Sequence, residues 1–219
     1  MREDILAAAH TLAAEGLVTA FGHASIREEG QDSFLITPPK PLGSLGADES
    51  LLEVPLGRGE LPEGVPGEAW IHWAVYNSRP DVGGICRAQP PISMALTSSG
   101  IPIRPLHGQG AFLGEAVPVY DDARLIRDRE AGEALAGDLG SAGGIIMRGN
   151  GAMTVGESVG AAVARMWVLE VSAELNRTAA TAGTPQVLNE EEFSYWESVS
   201  GEILERIWSY LKAKDLRDQ

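Results

Sequence analysis

Apolar residues return at helical spacing over residues 3–15, where Ile5, Leu6, Ala9, Leu12 and Ala13 share one face and Gly16 follows at the position of a helix C-cap. The period then shortens. "HASIRE" and "FLIT" alternate apolar and polar residues on either side of "EGQDS", which predicts two early strands joined as a hairpin. From Pro38 to Gly67 the chain ("PPKPLGSLG", "PLGRGELPEGVPG") carries too much proline and glycine for regular elements apart from a short "SLLEV" segment. Long ordered loops of this composition frame sites.

"EAWIHWAVYNS" predicts a helix that stops at Arg79-Pro80. "VGGIC" predicts a buried strand that surfaces at Cys86-Arg87-Ala88-Gln89 and breaks at Pro90-Pro91. There follow a short helix "ISMALTSS", a strand around "IPIRPL", a loop "HGQGAFLGEAVPVYDD" and a helix "EAGEALAGDLG". The strands "GGIIMR" and "AMTVG" flank the turn Gly149-Asn150-Gly151. A long helix is predicted over 157–177, with Val159, Ala162, Val163, Met166, Trp167 and Val171 as its apolar stripe. A last helix over 189–213 starts at Asn189, with Glu192 placed for a capping box. Alternating strands and helices make the class α/β, and no break in composition divides residues 1–219, so one domain is expected.

Charge narrows the partners. Seventeen basic residues against 31 acidic ones leave a net charge of −14, spread along the chain, which disfavours nucleic acid and anionic membranes. "MREDILAAAH" has no apolar signal core, and no apolar run reaches the roughly 18 residues of a spanning helix. A single cysteine, Cys86, excludes an internal disulfide and fits a reducing compartment, so a cytoplasmic location is expected.

The order of "GLVTAFGHASIR", "FLITP", "GEAWIHWAVYNSRPDVGGICRAQPP", "VPVYDDARLI" and "IIMRGNGAMTVGESVGAAVARMWVLE", from about residue 3 to residue 177, resembles that of the class II aldolase/adducin family. In motif style it is most similar to the hydroxyaromatic-acid decarboxylases of that family, the dihydroxyphthalate type. The resemblance implies a three-layer α/β/α fold around a mostly antiparallel sheet, and a homotetramer with sites between subunits. It also implies a divalent metal, usually zinc, held by two histidines of a strand-end His-x-His and one of an Asn-His-Gly-like turn, with an acid on the preceding helix. Residues i and i+2 of a strand share a face, so two imidazoles can share an ion there. The ion acts as a Lewis acid on the enolate oxygen formed when a carbon–carbon bond breaks.

At the matching positions stand Arg87, Gln89 and Asn150. Arginine stays protonated and cannot ligate, and the two amides are weak zinc ligands, so no metal and no other cofactor is expected. Phosphate recognition is eroded too, with Pro39-Lys40 and Pro66-Gly67 where family aldolases carry small polar and glycine residues. Glu68 matches the acid and is a candidate proton carrier, against a capping role at its helix start. Arg87 is a candidate cationic anchor for a carboxylate or enolate, against an ion pair with Glu68 that fills the metal's place.

Gln89, Asn150, His23 and His107 are candidate substrate contacts, each with a structural reading beside it. His72 and His10 read as structural, Cys86 as buried on the face opposite Arg87, and Trp196 and Tyr210 as aromatics able to reach a neighbouring subunit. The leading expectation is a metal-independent lyase of specialised metabolism. It would act through an enolate-like intermediate on a small carboxylated or enolisable, non-phosphorylated molecule. The alternatives are a non-catalytic, adducin-like homologue, and a metal site with new ligands from His23, Glu68 and His107.

Overall fold

The computed structural model describes residues 1–57 and 59–218, with side chains described through Lys214. Helix α1 (Arg2–Ala14) buries Ile5, Leu6, Ala9 and Leu12 as its spacing predicts. It ends in a Schellman pair, Leu17 N–H to Leu12 O and Gly16 N–H to Ala13 O. Strands β1 (His23–Ile26), β2 (Ser33–Ile36) and β3 (Leu52–Pro55) form an antiparallel ladder. Helix α2 (Ala69–Ser78) leads into β4 (Gly84–Ala88), then α3 (Pro91–Ser98), a 3-10 turn (Gly108–Leu113) and β5 (Val119–Tyr120). Helix α4 (Arg129–Leu139), β6 (Gly144–Met147), β7 (Gly151–Gly156) and α5 (Val159–Ala182) follow, and α6 (Glu190–Ser198) and α7 (Ser200–Asp218) complete the chain.

The seven strands form one sheet in the order β3-β2-β1-β4-β7-β6-β5, antiparallel except for the β5–β6 pair. Its two faces carry separate cores. On one, Ala24, Cys86, Ala88 and Ala152 pack under α1, α3, α5 and α7; on the other, Phe34, Ile85, Ile145 and Met153 pack under α2 and α4. This is the three-layer α/β/α arrangement. β4, β6 and β7 are buried at every residue, which is why they read as apolar runs rather than as alternation. Helix α2 is buried from Ala69 to Tyr76, and its sequence is accordingly apolar on all sides. No helix among the described residues is long and apolar enough to cross a membrane.

Two expectations need correction. "IPIRPL" is not a strand. Pro102 and Pro105 lack the N–H a ladder needs, and Arg104 instead bonds both its backbone groups to the Asn176 side chain, at 3.2 and 2.9 Å. The strand lies in the predicted loop, as β5. The helix expected over 189–213 is two helices that break at Val199. Asn189 and Glu192 do form the capping box. Trp196 of α6 lies against Gly108 of the 3-10 turn, whereas Leu204, Ile207 and Leu211 of α7 are buried in the core with α1 and α5, so one straight helix could not serve both contacts.

Where β4 passes under α5, Gly84 marks the closest approach. A Cβ on it would lie 2.2 Å from the backbone N of Val159. Backbone cannot swing aside as a side chain can. Gly84→Ala is therefore expected to lower stability by about 2–3 kcal/mol, within the range of overpacked cores, read from urea midpoints. An unchanged midpoint would mean that α5 shifts freely on the sheet.

Candidate active site

Three elements meet at the Ala88 end of β4. The β1–β4 register sets His23 opposite Arg87, the turn between β6 and β7 brings in Asn150, and the start of α2 supplies Glu68. Gly149 and Gly151, at φ 72° and 135°, carry that turn. At Gly151 a Cβ would fall 2.3 Å from the Ala88 carbonyl, so only glycine lets Asn150 sit this close to β4.

Glu68, Arg87 and Asn150 are buried and bonded to one another. Asn150 Nδ2 donates to Glu68 Oε1 at 2.9 Å, while Arg87 Nη2 donates to Asn150 Oδ1 at 2.7 Å and to its carbonyl at 3.0 Å. Arg87 Nη2 also pairs with Glu68 Oε2 at 3.1 Å. The Glu68 side chain makes no capping bond to α2, so its carboxylate is committed to the cluster. Arg87 is 1% exposed, and its Nε and Nη1 are buried without a hydrogen-bond partner among the described residues. Burial lowers its pKa, against which the Glu68 charge pulls upward.

The cluster floors a cleft of about 530 Å³ that Gln89 and His23 also line. Gln89 Nε2 lies 3.5 Å from the Asn150 carbonyl, the limit of a hydrogen bond. His23 Nδ1 is buried without a partner, and burial, then the nearby Arg87 charge, lowers its pKa to about 3. His23 is thus a neutral imidazole in the working pH range and not a proton carrier near neutrality. Behind it His72 is held in the core by Ser25 Oγ at 2.7 Å from its Nδ1, and Ser25 in turn meets the Tyr76 hydroxyl at 2.9 Å.

His107 does not join the cleft. Its Nε2 pairs with Ser172 Oγ on α5 at 2.9 Å. His10 bonds the Leu45 carbonyl, and Cys86 is buried on the face opposite Arg87, where burial raises its thiol pKa. Trp196 packs within its own chain and Tyr210 is exposed. Among the lining residues that escaped sequence reasoning are Phe21, Leu125 and Arg127. Their segments carry no periodic signal, and Arg127 is one of three arginines between 124 and 129 that only the fold can tell apart.

The family metal calls for neutral imidazole or anionic donors. A guanidinium occupies one ligand position, its charge would repel a divalent ion, and Glu68 is already paired to it. The alternative set of His23, Glu68 and His107 is not brought together, and among the described residues no group of three or more His, Cys, Asp or Glu could hold a metal. The residues do not fit the ion.

A three-layer α/β protein with a carboxylate, a guanidinium and two amides converging at a cleft has the make-up of a protein with a small-molecule site. Residues 3–176 match the Class II Aldolase and Adducin N-terminal domain, and the chain belongs to that family. It is 30% identical over 198 residues, 83% of this chain and 79% of the relative, to a 3,4-dihydroxyphthalate decarboxylase of Arthrobacter keyseri. It is 31% identical over 177 residues, 77% of this chain but only 24% of the relative, to alpha-adducin of Rattus norvegicus. The fold matches L-fuculose 1-phosphate aldolase from Glaciozyma antarctica PI12 with a TM-score of 0.79 and 21% identity, over 99% of this chain and 90% of that one.

Proposed function

We propose that the protein is a metal-independent lyase that decarboxylates a small, non-phosphorylated hydroxyaromatic acid through an enolate-like intermediate. Retro-aldol cleavage and a related cyclisation or dehydration pass through the same kind of intermediate. The observation that carries the reading is the Glu68–Arg87–Asn150 cluster at the cleft floor, in which Arg87 Nε and Nη1 are buried and, among the described residues, without a partner. Buried donors without partners are expensive, and an anionic oxygen formed during reaction is the group they match. The Glu68 carboxylate takes the proton of a ring hydroxyl and delivers it to the ring carbon that bears the carboxylate, leaving a dienone oxygen that Arg87 holds. The bond to the carboxylate then breaks, its electrons return through the ring to that oxygen, carbon dioxide leaves, and solvent protonates the resulting phenolate. Asn150 orients the Glu68 carboxylate, and Gln89 and the neutral His23 contact the substrate. The small-molecule partner and the homotetramer with sites between subunits are carried over from the family.

The first experiment combines carbon dioxide release from hydroxylated phthalates and benzoates with elemental analysis of the purified protein. Turnover with less than about a tenth of an equivalent of metal is expected, and Glu68→Gln should lower kcat by about 10²–10⁴. Stoichiometric metal required for turnover would defeat the metal-independent reading. The mutually satisfied Glu68–Asn150 bonds also suit a non-catalytic, adducin-like homologue in which the cluster only fills the old metal position. Under that reading no substrate turns over and Glu68→Gln changes stability alone.

A further inference from the structure

We propose that Arg127 selects the substrate, by binding a carboxylate that survives the reaction; this rests on the lyase reading above. Three cations line the cleft: Lys40, Arg87 and Arg127. Lys40 is held by both oxygens of Glu49 at 2.9 and 3.0 Å, and Arg87 by Glu68. Arg127 has neither an ion-pair nor a hydrogen-bond partner among the described residues. Its two neighbours in charge are both occupied. Arg124 pairs with Asp122, and Arg129 lies over the rings of Trp73 and Trp70 and donates to the Gly59 carbonyl.

The position of Arg127 is built. Ile126 beside it is buried in the core, and the Arg127 stem runs along Gly67, where a Cβ would meet Nε at 3.4 Å and Cδ at 3.5 Å. The guanidinium therefore stands next to the residue that precedes Glu68. In a chain of net charge −14, an uncompensated cation at the cleft is what admits an anion. Its planar fork suits a carboxylate held by two bonds. Phe21, 67% exposed, and Leu125, 51% exposed, present apolar surface at the same cleft, suited to a planar ring.

The carboxylate at Arg127 is the one retained, for an electrostatic reason. A cation bound to the departing carboxylate stabilises charge that disappears as carbon dioxide forms, which favours the ground state over the transition state. The substrate class is therefore an aromatic acid with two carboxylates, one reacting over Glu68 and Arg87 and one anchored at Arg127.

Calorimetric titration with 3,4-dihydroxybenzoate and with catechol, which differ only in the carboxylate, tests this. The wild-type protein should bind the acid at least about tenfold more tightly than catechol, the worth of one charge-assisted pair. Arg127→Ala should bring the two affinities together by weakening the acid alone, and Arg127→Lys should keep part of the difference. A ratio that survives in Arg127→Ala overturns the anchor and leaves the lyase reading standing. If the wild-type protein binds neither probe, the anchor falls together with the aromatic-acid reading on which it rests.

Discussion

Arg87→Met destabilises the protein by about 3–5 kcal/mol, the penalty of leaving one partner of a buried ion pair without the other. Arg87 sits on the central strand β4, 1% exposed, with its charge answered only by Glu68 and by the two Asn150 oxygens. After the substitution, the buried Glu68 carboxylate keeps the Asn150 amide and nothing of opposite charge. The double replacement Arg87→Met with Glu68→Gln removes both charges, and its destabilisation should fall short of the sum of the two singles by about 2 kcal/mol. Urea unfolding of the four proteins measures the cycle. A loss below about 1 kcal/mol for Arg87→Met would place the pair with solvent-exposed salt bridges and remove the case for a desolvated cation at the site.

Stability falls steeply on mild acidification, through His23 and His72. Burial holds the pKa of each well below the usual histidine value of about 6.5, with the Arg87 charge adding to the effect on both and the His23–His72 pair adding to it on His72. The folded protein keeps both rings neutral while the unfolded chain protonates them, so the unfolded state binds more protons. Their contribution is complete above pH 6.5 and is lost as pH falls toward the folded values, about 3 for His23. Each ring removes about 1.4 kcal/mol per pH unit once the unfolded histidine is protonated. Asp81, whose pKa is depressed by its hydrogen bonds to Arg79, loses its contribution only below the ordinary aspartate range. The interval from pH 6 to 4.5 therefore isolates the histidines. Urea midpoints across it should show a slope of at least two protons in the wild-type protein, with His107, whose pKa burial also lowers, adding to it, and about one proton less in His72→Gln. A flat profile would mean that solvent reaches the rings.

The outline of the site was legible along the chain because β-strand alternation and turn chemistry are local. Arg87 and Gln89 share a face of the segment around β4 and Asn150 sits between two glycines, while their convergence was implied only by the resemblance to the family. His107 misled because the family resemblance brings its loop toward the site, whereas here it packs on the opposite face of the sheet, where Ser172 takes its ring nitrogen. Trp196 was legible as a helical aromatic, but nothing local announced that α6 would turn away from α7 at Val199. The prolines of "IPIRPL" carried the warning against a strand there, and the Asn176 side chain explains what replaces the ladder.

By itself the sequence determined the α/β class, the buried strands and the capping box. All of these depend on residue type and short spacing. Only the tertiary structure decided that Glu68 turns from its helix to Arg87 and Asn150, that the His23 ring is forced neutral, and that Arg127 lines the cleft without a partner among the described residues. Pairing and desolvation arise between elements far apart in the chain. A charge's partner, and the water it loses, are settled only when those elements pack.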